Sequence, residues 1–260
     1  MAWRIGYIGN FYKIPEYIYH SDGYRLEYVI VEKGKLDDKM LTFLLVRNIP
    51  WIEVDDGAEL VRIMEQSGIK QWITCSFGKR IPMETIKNIE VYNIHYAELP
   101  YYKGRHPSFW ATVNNEKKVG ISLHMVSEKL DEGDIIAQRK IPYYIWMNEN
   151  ELFERLTEYV PELLYELKRY WKGEGQIIKN CEGNYYPMVK EEDYTIDLEK
   201  DSYANIYNKV RAQSRYRGAL LKLNNKNIWV KRVVFSQTPC EEYICVKLKE
   251  NIYMIIEEVG

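Results

Sequence analysis

Cysteine is scarce in this sequence, and the patterns that give it a structural or metal-binding role are missing. The four cysteines among 260 residues include no Cys-x-x-Cys pair, so neither a disulfide framework nor a zinc site is indicated. No His-Glu-x-x-His run or comparable ligand spacing is present. We therefore expect no metal site, and we expect reduced thiols in a cytoplasmic protein.

Long apolar runs and a strong net charge are lacking as well. No segment is long and apolar enough to span a bilayer, and the N-terminus lacks the apolar run of a signal peptide. The formal net charge is -2, so no overall basic field would draw the chain to nucleic acid or anionic lipid. These absences predict a soluble protein with neither a membrane nor a nucleic-acid partner.

The composition is otherwise that of a globular protein with a real core. Hydrophobic residues make up 46% of the chain. The 23 tyrosines offer flat, half-polar surfaces that could contact sugars or bases. The length suits one large domain or a main domain with an appendage, and a homodimer is compatible with the sequence.

The first half of the chain alternates between apolar strands and helices. Predicted strands cover residues 4–9, 26–31, 51–54, 71–75 and 91–95, and predicted helices cover 36–46 and a stretch capped by Asp55 or Asp56 that runs to 64. This order indicates βαβ units and an α/β, Rossmann-like, mostly parallel sheet. In such sheets ligands bind beyond the carboxyl ends of the strands.

The second half changes character. Further strands are predicted at 119–126 and 135–143, a helix at 149–171 that Pro161 should kink or split, a helix at 202–212, and short strands at 219–223, 228–234, 244–248 and 253–257. The polar stretch 172–193 has no periodicity and is either a surface linker or an ordered loop over a substrate. We predict a main domain over 1–190 and a small, mostly-β, OB-like domain over 191–260.

An amide, an imidazole and a carboxylate are the main candidates for chemistry. Asn93 and His95 point to one face of a strand end, because residues i and i+2 share a face. Asp131 could fix the imidazole from another direction, as in a base oriented by a third group. These groups suit a reaction that polarises a carbonyl, moves a proton and lets an amine attack.

The remaining motifs are weaker. Gly6-Tyr7-Ile8-Gly9 lacks two glycines of the dinucleotide fingerprint and is better interpreted as a tight turn after a strand. His20 is interpreted as a surface histidine and His124 as a packed histidine near the pocket. His106 precedes a short helix at 108–113 and could face the site.

A wider set of short motifs resembles the N10-formyltetrahydrofolate-dependent formyltransferases, above all the branch that acts on sugars. Relatives in that family include methionyl-tRNA formyltransferase and glycinamide ribonucleotide transformylase. The matching pieces are Asn93-Ile94-His95, Leu99-Pro100, Lys103-Gly104, Pro107, Trp110-Ala111, Gly120 and Leu130-Asp131-Glu132-Gly133-Asp134-Ile135. Their order and spacing match over residues 70–140, which makes the resemblance specific.

The resemblance implies roles for individual residues. Asn93 would donate a hydrogen bond to the formyl oxygen, His95 would assist the proton movements, and Asp131 would orient His95 or a relay water. The co-substrate N10-formyltetrahydrofolate would bind loop backbone at two segments, whose members are Phe77, Gly78, Lys79, Arg80 and Ile81, and Val126, Ser127, Glu128, Lys129 and Leu130.

The acceptor is the open part of this interpretation. Near-neutral charge, intermediate length and many tyrosines favour a nucleotide-linked amino sugar, typically a dTDP- or UDP-linked 4-amino-4,6-dideoxyhexose of surface glycan or nonulosonic (pseudaminic) acid biosynthesis. The expected substrate contacts are Asn10, Phe11, Tyr12, Lys103, Arg105 and His106. Three alternatives stay open: an enzyme like methionyl-tRNA formyltransferase, a formyltetrahydrofolate hydrolase, and a binding module that has lost turnover.

Overall fold

The computed structural model describes residues 2–260, which divide into two compact units. The first unit comprises the chain up to residue 103 together with 120–140 and 156–184, and the second comprises 104–119, 141–155 and 185–260. Each unit therefore combines segments that are distant in sequence. The domain boundary between residues 190 and 191 stays a prediction.

The strands and helices alternate along the first half of the chain, as predicted. The strands are β1 (Trp3–Gly9), β2 (Tyr24–Glu32), β3 (Trp51–Val54), β4 (Gln71–Cys75), β5 (Glu90–His95), β6 (Lys103–Gly104), β7 (Lys118–Met125), β8 (Ile135–Pro142), β9 (Tyr185–Tyr186), β10 (Thr195–Ile196), β11 (Ala219–Leu223), β12 (Lys226–Ser236), β13 (Ile244–Lys247) and β14 (Tyr253–Val259). The helices are α1 (Lys13–His20), α2 (Asp38–Arg47), α3 (Gly57–Ser67), α4 (Pro107–Val113), α5 (Glu149–Thr157), α6 (Val160–Trp171), α7 (Glu191–Tyr194) and α8 (Tyr203–Ala212).

A sheet with strand order β3-β2-β1-β4-β5-β7-β8 lies mainly in the first unit. Neighbouring strands from β3 to β5 are parallel, whereas β7 runs antiparallel to β5. The predicted α/β, mostly parallel sheet is therefore confirmed. Gly6 on β1 pairs with Trp72 on β4, and a Cβ on Gly6 would lie 2.3 Å from the Trp72 ring. Only glycine lets this large buried side chain lie flat against the strand.

Local signals in the sequence account for several helix ends. Asp56 rather than Asp55 caps α3, and its side chain accepts a hydrogen bond from the Glu59 backbone N–H at 2.8 Å. Pro161 lies in the first turn of α6, where proline costs no helical hydrogen bond. The predicted helix over 149–171 is accordingly split into α5 and α6.

The second unit is built around a sheet with strand order β10-β11-β12-β14-β13, which confirms the predicted mostly-β C-terminal part. Helix α8 covers its core and carries Arg211, which is 4% exposed. The Arg211 guanidinium donates hydrogen bonds to the carbonyls of Tyr144, Ile145 and Met147 at 3.0–3.2 Å. This buried, charge-assisted contact ties the segment 141–155 to the C-terminal sheet.

Candidate active site

Two adjacent antiparallel strands, β5 and β7, hold the polar side chains of the candidate site. Asn93 on β5 lies directly opposite His124 on β7, and His95 lies opposite Ser122. Directly opposed residues on one face of a sheet have neighbouring side chains. The Asn93 Nδ2 accordingly lies 3.1 Å from the His124 Nε2. The strand register therefore brings His124 into the site, a residue that the sequence marked only as packed nearby.

Asp131 reaches the same cluster from the loop between β7 and β8. Its backbone has a φ of 53°, a left-handed conformation that Asp adopts more readily than most residues. One carboxylate oxygen, Oδ1, accepts a hydrogen bond from the Asn93 Nδ2 at 3.3 Å and lies 3.4 Å from the His124 Nε2. The other, Oδ2, lies 3.7 Å from the His95 Nδ1. The structure thus brings Asn93, His95 and Asp131 together.

Backbone carbonyls fix which nitrogen of each ring faces the carboxylate. The His95 Nε2 donates to the Tyr102 carbonyl at 2.8 Å, and the His124 Nδ1 donates to the Met125 carbonyl at 2.8 Å. A carbonyl can only accept, so these nitrogens carry the hydrogens. In the neutral rings, the His95 Nδ1 and the His124 Nε2 are therefore the acceptors, and both face Asp131.

Burial makes this polar cluster electrostatically sensitive. His95, His124 and Asp131 are 6%, 1% and 4% exposed. Interactions between charges are stronger where water is excluded, so the Asp131 carboxylate stabilises positive charge that develops on either ring. The arrangement can thus donate a hydrogen bond from an amide and exchange a proton at an imidazole within one small volume.

The polar stretch after α6 is fastened to this site over residues 178–184. Ile178 forms a β-bridge with Ile135, and the Asn180 Nδ2 donates to the carbonyls of Asp131 and Gly133 at 2.8 and 3.0 Å. The Asn184 carbonyl accepts from the Lys103 backbone N–H at 3.0 Å. This part of 172–193 therefore contacts the Asp131 loop. The choice between a surface linker and an ordered loop over a substrate stays a prediction.

The two segments predicted to bind folate border one apolar cluster. Ile81 is buried in that cluster, and the half-buried Phe77 and Val126 pack against it. The charged side chains of the first segment pair with acidic residues. The Lys79 Nζ lies 3.0 Å from the Asp55 Oδ1, and Arg80 makes a double hydrogen bond to Glu84.

The rest of these two segments is surface loop. The Gly78 N–H donates to Glu32 at 3.0 Å, the Ser127 hydroxyl donates to the Lys129 carbonyl at 2.9 Å, and Leu130 is exposed although apolar. The side chain of Glu128 is exposed. These loops therefore present backbone and apolar side chains rather than charges aimed at a ligand.

The predicted substrate contacts in the first unit have structural partners of their own. The Asn10 amide accepts from the Glu32 N–H at 3.0 Å and donates to the Ser76 carbonyl at 2.8 Å. The Phe11 carbonyl accepts from the Tyr7 hydroxyl, and the Tyr12 ring lies beneath two lysine ammonium groups. Lys103 is buried and its Nζ donates to the Cys181 carbonyl at 3.1 Å. A substrate role for these residues stays a prediction.

The other two predicted contacts, Arg105 and His106, belong to the second unit. His106 has a φ of 54° and precedes α4, and its Nε2 lies 3.3 Å from the Met188 sulfur. Burial, followed by the nearby Arg105 and Arg215, lowers the pKa of the His106 imidazole. The role of both residues stays a prediction as well.

Neither a metal site nor a membrane-spanning helix is present among residues 2–260. Among residues 2–260, no group of three or more His, Cys, Asp or Glu side chains is arranged to hold a metal ion. In the same residues, no helix combines the length and apolar character needed to traverse a bilayer.

Comparison with known proteins identifies the family. The formyl transferase family model matches residues 55–167, and the model of the formyl transferase C-terminal domain matches residues 188–249. Together they cover more than half of the chain. The chain belongs to the formyltransferase family. The resemblance found in the sequence motifs is thereby confirmed. The first match includes β4, β5, β7 and β8 of the first sheet, and the second includes β10 to β13 of the C-terminal sheet.

The curated relatives of this formyltransferase family member include methionyl-tRNA formyltransferases. A methionyl-tRNA formyltransferase of Citrifermentans bemidjiense is 33% identical over 62% of this chain and 52% of its own length. The chain spans little more than half the length of the first curated relatives it matches.

Solved structures share its fold. HypX from Aquifex aeolicus in complex with tetrahydrofolic acid superimposes with a TM-score of 0.73, at 19% identity, over 98% of this chain and 44% of that one. WlaRD, a sugar 3N-formyl transferase crystallised in the presence of dTDP and 5-N-formyl-THF, superimposes with a TM-score of 0.71, at 19% identity, over 98% and 97%.

Proposed function

We propose that this chain transfers a formyl group from N10-formyltetrahydrofolate to the amine of a nucleotide-linked amino sugar. The observation that carries the proposal is the buried cluster in which Asn93, His95 and Asp131 meet. It joins an amide donor, an imidazole and a carboxylate. These groups are the ones needed when an amine attacks a formyl carbon. Membership of the formyltransferase family supports the same reaction type.

The donor is supported by the two folate loops and by the related structures. Half-buried Phe77 and Val126 and the exposed apolar Leu130 fit a flat heterocycle, while the loop backbone can satisfy its polar edge. HypX was crystallised with tetrahydrofolic acid, and WlaRD in the presence of 5-N-formyl-THF. The folate would supply a formyl group on a nitrogen that can leave.

The cluster accounts for each part of the transfer. The amine nitrogen bonds to the formyl carbon, the bond from that carbon to the folate N10 breaks, and one proton passes from the amine to N10. Asn93 donates a hydrogen bond to the formyl oxygen as negative charge develops there. Its contact with Asp131 is long at 3.3 Å, so a charged oxygen competes well for that N–H.

The proton is assigned to the ring nitrogen that can accept it. The His95 Nε2 carries the hydrogen that is donated to Tyr102, so the His95 Nδ1 takes up the amine proton. Asp131, 3.7 Å from this nitrogen, stabilises the resulting imidazolium. General acid–base help of this kind contributes roughly two to four powers of ten in rate.

The acceptor is argued from charge and from the related structures. A net charge of -2 gives no broad basic field for the phosphates of a transfer RNA. WlaRD, which superimposes over nearly the whole chain, is a sugar 3N-formyl transferase. The methionyl-tRNA formyltransferases among the curated relatives favour a second candidate, formylation of an aminoacyl-tRNA.

The test is a formylation assay with the purified chain and N10-formyltetrahydrofolate. One arm contains a panel of dTDP- and UDP-linked amino sugars, one contains methionyl-tRNA, and one contains no acceptor. Mass spectrometry should show one formyl group gained by an amino sugar. Formylated methionyl-tRNA would favour the second candidate, and formate release without acceptor would indicate a hydrolase.

Histidine variants connect the activity to the cluster. We expect His95→Gln to lower kcat by about a hundredfold or more, whereas the matched control His20→Gln changes an exposed histidine on α1 and should leave kcat unchanged. Undiminished turnover in the His95 variant would contradict the catalytic role given to the cluster and refute the proposal.

A further inference from the structure

In the second unit, the guanidinium of Arg215 is held in place, but only some of its hydrogen-bond donors have partners among the described residues. Arg215 stacks on the Phe153 ring at 3.4 Å from the ring centroid, and its Nη1 lies 3.4 Å from the Glu149 Oε1. Its side chain is 25% exposed. Within residues 2–260 its Nε and Nη2 make no hydrogen bond. A rigid guanidinium with donors to spare is pre-organised to bind an anion.

The acidic residue beside Arg215 is Glu149, and burial disfavours its charged form. Glu149 is 1% exposed, and its Oε1 also accepts a hydrogen bond from the Ser108 hydroxyl at 2.5 Å. Its Oε2 is buried without a hydrogen-bond partner among the described residues. Burial raises the pKa of the Glu149 carboxyl, so the charged form is disfavoured there. Glu149 therefore holds the Arg215 guanidinium in place but neutralises its positive charge only weakly.

Other basic groups converge on the same place. The lowered pKa of His106 has burial as its main cause and Arg105 and Arg215 as its further causes, so both guanidinium groups act on this ring. The His106 ring lies 6.5 Å from the ring of Tyr216, whose side chain is 46% exposed. Arg215 also lies over the Tyr216 ring at 5.9 Å. Arg215, His106 and Tyr216 therefore lie close together, with the buried Glu149 beside Arg215.

We propose that Arg215, His106 and Tyr216 form a binding site for the phosphate oxygens of a nucleoside diphosphate. Guanidinium donors match phosphate oxygens in pairs, and an imidazole and a phenol add further donors. The inference rests on the proposed function in one respect, namely that the diphosphate is part of the nucleotide-linked sugar. Glu149 and Phe153 are positioning residues that act through Arg215.

The experiment measures binding by calorimetry, without folate or amino sugar. The probes are UDP and dTDP, with uridine and thymidine as probes that lack phosphate. We expect a nucleoside diphosphate to bind and its nucleoside to bind at least tenfold more weakly. Arg215→Gln should weaken diphosphate binding by roughly tenfold to a hundredfold, the usual effect of losing a charge-assisted hydrogen bond. Arg215→Lys, which keeps the charge but loses the paired geometry, should fall between.

A matched control and a second variant keep the result interpretable. Arg232→Gln removes an exposed arginine of the same unit, and it should bind the diphosphate like the original chain. If Arg215→Gln fails to fold by circular dichroism, His106→Asn tests the same site, because Asn tolerates the left-handed conformation at this position. We expect His106→Asn to weaken binding severalfold.

Each outcome of these measurements either supports or overturns the proposed phosphate site. Equal affinities for UDP and uridine, or equal effects of Arg215→Gln and Arg232→Gln, would overturn the site. Binding of transfer RNA that Arg215→Gln weakens, with no binding of either diphosphate, would also overturn it. The binding experiment contains no formyl donor and is therefore independent of the formylation assay. Diphosphate binding, together with no formyl transfer in that assay, would refute the proposed function and leave this site standing.

Discussion

Asn180 gives the sharpest test of how the Asp131 loop is held. Its side-chain Nδ2 donates to the carbonyls of Asp131 and Gly133. Asn180→Ala removes both hydrogen bonds. Each is worth about 1 kcal/mol net. The Asn180 Oδ1 is buried without a partner among residues 2–260, and its removal offsets part of the loss.

The net destabilisation of the loop is therefore about 1–2 kcal/mol. If the transition state needs the Asp131 carboxylate in place, this loss appears in kcat as roughly a fivefold to thirtyfold decrease. Asn180→Asp should be worse, because it replaces the amide donor with a carboxylate that faces two carbonyl oxygens. The midpoint of thermal unfolding should move by only a few degrees.

The assay is formyl transfer to the amino sugar of the panel that proves to be formylated, with kcat and KM determined separately. Lys179→Ala is the matched control from the same segment: its Nζ lies 2.7 Å from Asp134, but its side chain is 84% exposed, and such pairs contribute about 0–1 kcal/mol. Its kcat should stay within about twofold. Asn180→Asp with the kcat of the original chain would refute the reasoning.

Three further changes have defined outcomes. Asn93→Asp places a carboxylate where the formyl oxygen becomes negative, so kcat should fall by about a hundredfold or more; a kcat within a few-fold would contradict the role given to Asn93. Gly183→Ala puts a Cβ 1.9 Å from the Pro100 carbonyl oxygen, so the free energy of unfolding should drop by about 1–3 kcal/mol, and an unchanged denaturant midpoint would contradict it. The pKa of His106 is lowered in the folded chain, so the unfolded chain binds more protons, and stability is lost as pH falls from about 6.5 through the folded pKa. His106→Asn should flatten that part of the stability curve in denaturant titrations, and an identical slope in both proteins would disprove the link.

The parts of the fold that follow from local signals could be predicted from sequence. Apolar runs alternating with helices specify the parallel sheet, and the strand period of two places Asn93 and His95 on one face. Asp131 could be named as a partner of His95 from its chemistry, but nothing local connects it to β5, and the resemblance to a family gave the more specific support.

The parts that depend on strand register and on irregular chain could not be predicted. His124 joins the site because β5 and β7 pair with His124 opposite Asn93, and a shift of one residue would turn its side chain to the other face. Asn180 lies in a polar stretch without periodicity, so its two hydrogen bonds leave no pattern in the sequence. The division into units that interleave along the chain has the same origin, since long-range contacts define it.

The geometry also bears on what Asp131 does. The resemblance assigns it the orientation of His95 or of a relay water, but the His95 ring is already held by strand β5 and by the hydrogen bond to Tyr102 at 2.8 Å. At 3.7 Å, the distance from the His95 Nδ1 to Asp131 exceeds that of a hydrogen bond. A carboxylate at this distance still stabilises an imidazolium, because the pair is buried. We therefore propose that Asp131 stabilises charge during proton transfer and that the backbone supplies the orientation of the ring.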